Sequence, residues 1–127
     1  MAVSRLPDAE LEIMKVIWKC GGETTSAVIM NKLEGKKDWA LTTLLNFLAR
    51  LVDRGFLSVY RNGKTNYYAP VINEDEYLES ESKSFLERLH GNSLKSFVAS
   101  LYNGDGISRR DLDELKSFID EKAGDAQ

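Results

Sequence analysis

Cysteine is nearly absent: Cys20 is the only one in 127 residues, which excludes an internal disulfide and a multi-cysteine zinc site. Histidine is as sparse, with His90 alone, so no metal constellation and no imidazole-based nucleophile–base pair is expected. Neither a glycine-rich phosphate loop nor a paired-carboxylate motif stands out; the chain is read as a non-enzyme that needs no cofactor. No apolar run approaches the roughly 18 residues that cross a bilayer, so no direct membrane insertion is expected. The opening M-A-V-S-R-L-P-D lacks the apolar segment of a secretory signal. What these absences leave is a cytoplasmic globular protein, in keeping with 43% apolar and 29% charged residues.

A net charge of −3 argues against a nucleic-acid partner if the chain is taken whole, but the charge is unevenly spread. Residues 1–70 hold ten Lys/Arg against seven Asp/Glu, and residues 71–127 hold seven against thirteen. The asymmetry reads either as a basic module that meets a polyanion beside an acidic one with another task, or as two ordinary solvated surfaces.

The stretch from Trp39 to Tyr68 carries most of the information. Leu44, Phe47, Leu48 and Leu51 recur at i, i+3, i+4 and i+7, the period of a helix laid on a core. At about 100° per residue, Thr42, Asn46, Ala49, Arg50 and Asp53 point away from that stripe. The result is a short, mostly polar face able to enter a DNA groove. A hairpin follows at once, F-L-S-V-Y-R-N-G-K-T-N-Y-Y, with its turn at Arg61-Asn62-Gly63-Lys64 and basic residues on both sides.

Upstream, Leu6-Pro7-Asp8 starts a first helix with Leu11, Met14, Ile17 and Trp18 on its stripe, ended by Gly21-Gly22. Thr25 caps a second, with Val28, Ile29 and Leu33 inward and Gly35 as breaker. Helix, helix, helix and a basic-tipped hairpin is the order of a winged helix-turn-helix. Trp39 and Tyr67-Tyr68 read as core or anchoring aromatics rather than base stackers. Arg50 reads as a phosphate contact, with pairing to Asp53 or Asp38 as the alternative.

A boundary is placed near Pro70-Val71-Ile72-Asn73. It divides the chain into a winged-helix DNA-binding domain, 1–71, and a helical dimerisation domain, 72–127. Asn73 caps a fourth helix that runs through Glu76 to Leu89 and is stopped by Gly91. A fifth spans Ser93 to Tyr102, and Ser108 caps a sixth with Leu112, Leu115, Phe118 and Ile119 on one face. The tail Gly124-Asp125-Ala126-Gln127 is expected to fray. Tyr77, Phe85, Leu89, Leu94 and the apolar residues that follow are too many for three short acidic helices to hide among themselves. A second copy related by a two-fold axis solves this, with Phe97, Val98, Leu101, Leu115 and Phe118 meeting across it. The alternative is that these helices pack back on residues 1–70.

Several segments together carry a resemblance: L-P-D-A-E-L-E-I-M-K-V-I-W, K-D-W-A-L-T-T-L-L-N-F-L-A-R-L-V-D-R-G-F-L, Y-Y-A-P-V after the hairpin, S-F-L-E-R and I-S-R-R-D-L-D-E-L. In this order and spacing the chain resembles the BlaI/MecI/CopY family of penicillinase, methicillin-resistance and copper-responsive repressors over essentially its whole length. The resemblance implies a mainly α fold with a small β wing, a winged helix-turn-helix followed by a three-helix dimerisation domain. It also implies a homodimer bound to double-stranded operator DNA.

Carried over residue by residue, the family's base-reading positions fall on Thr42, Thr43, Leu45 and Asn46. Its phosphate contacts fall on Arg50 in the third helix and on Arg61 and Lys64 in the wing. Members of the resistance branch have basic residues at the positions of Thr42 and Leu45, so base readout here is expected to be less guanine-centred. Asn46 suits bidentate pairing with adenine.

In the β-lactam branch a membrane sensor protease triggers cleavage at an Asn-Phe bond. The matching bond here is Ser100-Leu101, with induction by another route as the alternative. The copper branch uses paired C-terminal cysteines, and E-K-A-G-D-A-Q has none. A winged-helix module that binds protein and never touches DNA stays open as the reading from a different class.

Overall fold

Pro7 opens α1, Asp8–Cys20, as a residue with no amide hydrogen to leave unsatisfied, and its carbonyl accepts from Leu11 N at 2.9 Å. The computed structural model describes residues 3–125. Ile13, Met14 and Ile17 are wholly buried, and α1 ends at Gly21, whose φ of 74° lets its amide reach back to Trp18 O. In α2, Ser26–Leu33, the Thr25 hydroxyl accepts from Val28 N at 3.3 Å, and Ile29 and Leu33 are buried. Val28, expected inward, is 41% exposed. It lies about 140° round the helix from Leu33, and a helix this short buries one narrow stripe.

The third helix, α3, Leu41–Asp53, buries Leu44, Leu48 and Leu51, with Phe47 half-buried at the edge of the stripe. Strands β1, Leu57–Asn62, and β2, Thr65–Pro70, pair antiparallel from Leu57↔Pro70 to Asn62↔Thr65. The loop between them is therefore Gly63-Lys64, one residue later than the expected Asn62-Gly63 centre. Gly63 has φ 66° and Lys64 has no positive φ, a pattern that fits a type II′ turn with glycine first. The Tyr60↔Tyr67 pair, with stacked rings 5.3 Å apart, belongs to this register. Thr24 adds a short antiparallel bridge to Tyr68, each amide donating to the other's carbonyl at 2.8 Å.

The fourth helix, α4, Glu74–His90, begins with a capping box: Asn73 Oδ1 accepts from Glu76 N at 2.8 Å, and Glu76 Oε1 accepts from Asn73 N at 3.3 Å. Its first turns belong to the compact unit that runs to Ser82, beyond the 1–71 expected for the DNA-binding domain. Tyr77 is the reason. Expected among the C-terminal apolar residues, it is buried in the core of this first unit, where its hydroxyl accepts from Leu6 N at 3.0 Å and its ring lies 5.8 Å from Trp18 and 6.0 Å from Phe56. A salt bridge from Arg5 to Glu81 and a hydrogen bond from Val3 N to Ser80 Oγ tie the opening segment to the same helix.

The second unit starts at Lys83. It holds the end of α4, then α5, Leu94–Asn103, capped by Ser93, and α6, Arg109–Asp125, opened by a reciprocal Ser108–Asp111 box. Gly91 and Asn92, at φ 57° and 68°, turn the chain between α4 and α5. Phe85, His90 and Phe97 form an aromatic cluster, and His90 Nδ1 lies 3.0 Å from Ser96 Oγ. The expected fraying does not begin at Gly124, because α6 continues to Asp125; Ala126 and Gln127 lie outside the described residues. Among residues 83–124 no side chain is fully buried. No helix of the described residues is long and apolar enough to cross a membrane.

Candidate nucleic-acid interface

Burying Leu44, Leu48 and Leu51 dictates what α3 turns outward. Thr42, Leu45, Asn46, Ala49, Arg50 and Asp53 are exposed, while Thr43 is half-buried at the border of the two faces. The Arg50 guanidinium lies over the Phe47 ring, 5.8 Å from its centre, which holds the stem of the side chain against the helix. Among the described residues Arg50 makes no ion pair, so its charge is free of both Asp53 and Asp38. Trp39 packs its ring on Phe47 at 5.2 Å, with Lys37 Nζ 5.9 Å from the indole, and so anchors the approach to α3.

The wing carries two cations at its turn. Lys64 is exposed at the tip, and Arg61 donates from Nε to the Gly63 carbonyl at 3.1 Å across the turn. Tyr68 is buried and anchors the sheet, whereas Tyr67 is half-buried beneath the Tyr60 ring. The Tyr60 hydroxyl donates to Glu23 Oε1 at 2.8 Å. That bond, with burial and the Glu23 charge behind it, holds the phenol above its ordinary pKa.

Arg54, one turn beyond Arg50, is withdrawn from this set. Its Nη1 lies 3.3 Å from Glu10 Oε2, and Glu10 is 2% exposed. Sequence reasoning passed over the pair although a signal was present: Glu10 stands three, four and seven residues before Ile13, Met14 and Ile17, an acid on an apolar stripe. A buried carboxylate calls for a cationic partner.

In the second unit, a groove of about 540 Å³ is lined by Leu94, Val98, Tyr102, Leu112, Leu115 and Ile119, among others. Leu94, Tyr102 and Ile119 are exposed there. Phe97 turns instead to Phe85 and His90, Leu101 is half-buried against the turn at Gly106, and Phe118 is 56% exposed beneath Lys122. Ser100 is exposed on α5.

Residues 6–121 match the sequence profile of the penicillinase repressor family. The chain belongs to that family. The penicillinase repressor of Bacillus licheniformis is 35% identical over 119 residues, covering 94% of this chain and 92% of that protein. The methicillin resistance regulatory protein MecI of Staphylococcus aureus (strain N315) is 23% identical over 117 residues, 92% of this chain and 94% of that protein. Among solved structures, the DNA-binding domain of the repressor BlaI superposes with a TM-score of 0.52 at 33% identity, covering 59% of this chain and 90% of that one. The monomeric form of Bacillus licheniformis BlaI in complex with the blaP half-operator gives 0.50 at the same identity and coverage. Penicillinase repressors are transcriptional regulators and not enzymes. The chain is accordingly a DNA-binding repressor with a winged helix-turn-helix, mostly helical around one two-stranded sheet.

Proposed function

We propose that the protein is a homodimeric repressor that grips a two-fold operator, one winged helix to each half-site. The observation that carries this reading is the division of α3, with Leu44, Leu48 and Leu51 wholly buried and Thr42, Leu45, Asn46 and Arg50 exposed opposite them. Such a helix enters the major groove. Asn46 pairs with adenine, Thr42 and the open edge of Thr43 bond base edges or meet thymine methyls, and Leu45 makes an apolar contact. Arg50, Arg61 and Lys64 take phosphates, which sets position without reading sequence. That BlaI of Bacillus licheniformis has been solved as a monomer on a half-operator supports one winged helix per half-site.

Dimerisation is supported by residues 83–124, which lack a fully buried side chain and leave an apolar groove open. In this reading Phe97, Val98, Leu101, Leu115 and Phe118 meet the second copy across the two-fold axis. Repression ends when that contact is lost. A cut at Ser100-Leu101 by a membrane sensor protease would do this, as would any other signal that parts the dimer. The protein acts where its DNA is, in the cytoplasm.

Footprinting with a salt titration tests the reading. Two protected half-sites about one helical turn, or a multiple of it, apart are expected, with affinity falling steeply as salt rises. A single protected half-site under one bound chain, or affinity indifferent to salt, contradicts it.

A further inference from the structure

Between α1 and α2 lies a cavity of about 330 Å³ lined by four lysines: Lys15 and Lys19 from α1, Lys32 from α2, and Lys36 from the turn that follows. Its inner wall is apolar, made by Val16 and Leu33, with the half-buried thiol of Cys20 beside them. One acid reaches the cavity. Glu12 lies 3.9 Å from Lys15 and is engaged there. Among the described residues no ion pair involves Lys19, Lys32 or Lys36.

Four lysines and a single carboxylate line this one concavity, so its walls carry a cationic excess in a chain whose net charge is −3, and like charges held near one another repel. An anion of more than one charge relieves that repulsion, and the concave shape admits a small molecule; about 300 Å³ is the lower end of the usual range for such sites. We infer that this cavity binds a small polyanion, a molecule carrying two or more carboxylate or phosphate groups on a short apolar body. The charged groups meet the lysines and the body lies on Val16 and Leu33. A DNA backbone fits less well, because Val16, Cys20 and Leu33 give the lining an apolar part and none of the proposed operator contacts borders it. Lys36 stands in the turn whose Lys36 and Lys37 amides both donate to Leu33 O at 2.9 Å, so a bound anion bears on the segment that leads the chain into α3.

Cys20, as the only cysteine, reports on the cavity directly. The rate of its alkylation by N-ethylmaleimide is followed on the full chain while pyrophosphate or citrate is titrated against sodium chloride of equal ionic strength. Calorimetric titration of the same anions runs in parallel. At least one anion is expected to slow alkylation saturably, roughly tenfold at ten times its dissociation constant, with a saturable heat. Both signals should vanish in Lys19→Met/Lys32→Met. Lys36→Met, outside both helices, repeats the test if the double variant does not fold. Protection by chloride equal to that by either anion, protection unchanged in the lysine variants, or neither heat nor protection overturns the inference. So does protection by operator duplex alone, which would assign the lysines to the DNA backbone.

Discussion

Arg54 Nη1 sits 3.4 and 3.3 Å from the two carboxylate oxygens of Glu10, joining the first turn of α1 to the residue that caps α3. The carboxylate is 2% exposed and the guanidinium side chain 38%, so the pair is a buried anion held by a cation at the water's edge. Removing the cation strands the buried charge, whereas neutralising the anion does not. Arg54→Met is therefore expected to lose stability, by less than the roughly 3–5 kcal/mol of a fully buried pair, and Glu10→Gln to lose clearly less than that. Urea unfolding of both variants checks this; equal losses would mean that the charge of Glu10 is not what Arg54 answers.

The proposed phosphate and base contacts separate in a binding panel. Arg50→Ala and Lys64→Ala should each weaken binding to every sequence alike and lower the salt slope by about one unit. Asn46→Ala should relax preference at one base pair, costing about 1–3 kcal/mol there. Gel shifts against single-base operator variants measure both effects. A uniform loss from Asn46→Ala would remove it from base reading.

Tyr60 supplies a pH signature for the wing. Its folded pKa is raised above 10.0, chiefly by the bond to Glu23, so its contribution to stability is fully present below pH 10 and is lost as pH rises through the folded value. The stability difference between the native protein and Tyr60→Phe should be flat up to that pH and shrink above it. Paired denaturation curves across the range test the sign; a difference that grows with pH would reverse it.

Leu115 lines the open groove of the second unit, and Leu101 is half-buried on α5. Truncating a large buried side chain costs about 2–5 kcal/mol in a core, and a two-fold interface counts the loss twice. Leu115→Ala and Leu101→Ala are expected to shift the protein toward monomer and abolish operator binding at working concentrations while the winged helix stays folded. Sedimentation equilibrium beside gel shifts decides the matter. A variant that is monomeric yet binds operator unchanged would refute release by lost dimerisation.

What was legible in the sequence was local. The α3 stripe, the caps at Thr25, Asn73 and Ser108, and the hairpin all rest on periodicity or on neighbours three residues apart, and each has its counterpart in the structure. What was missed lies far apart along the chain. Tyr77 takes its hydrogen bond from Leu6, 71 residues away, and Arg54 finds Glu10 across 44. No periodicity reports such pairs, because the partner is chosen by the packing of whole helices. The turn position was missed for a subtler reason: Asn62-Gly63 and Gly63-Lys64 are both acceptable two-residue loops, and cross-strand pairing selects between them. Of the candidate site, the exposed face of α3 followed from the buried one, whereas Thr43 stands at the border, where a helical wheel does not discriminate.

The one-to-one pairing of β1 with β2 also governs how the wing can change length. Val59 pairs with Tyr68, which Thr24 bridges at the sheet's base, and the stacked Tyr60 and Tyr67 occupy the opposite face. A residue added to one strand alone turns every side chain beyond it to the other face or forces a bulge. Additions that preserve the anchor must come as matched pairs, one per strand, or sit at the Gly63-Lys64 tip. Short of an enlarged tip, the reach of the wing toward a DNA backbone thus grows in steps of about 3.4 Å, one for each matched pair added to the strands.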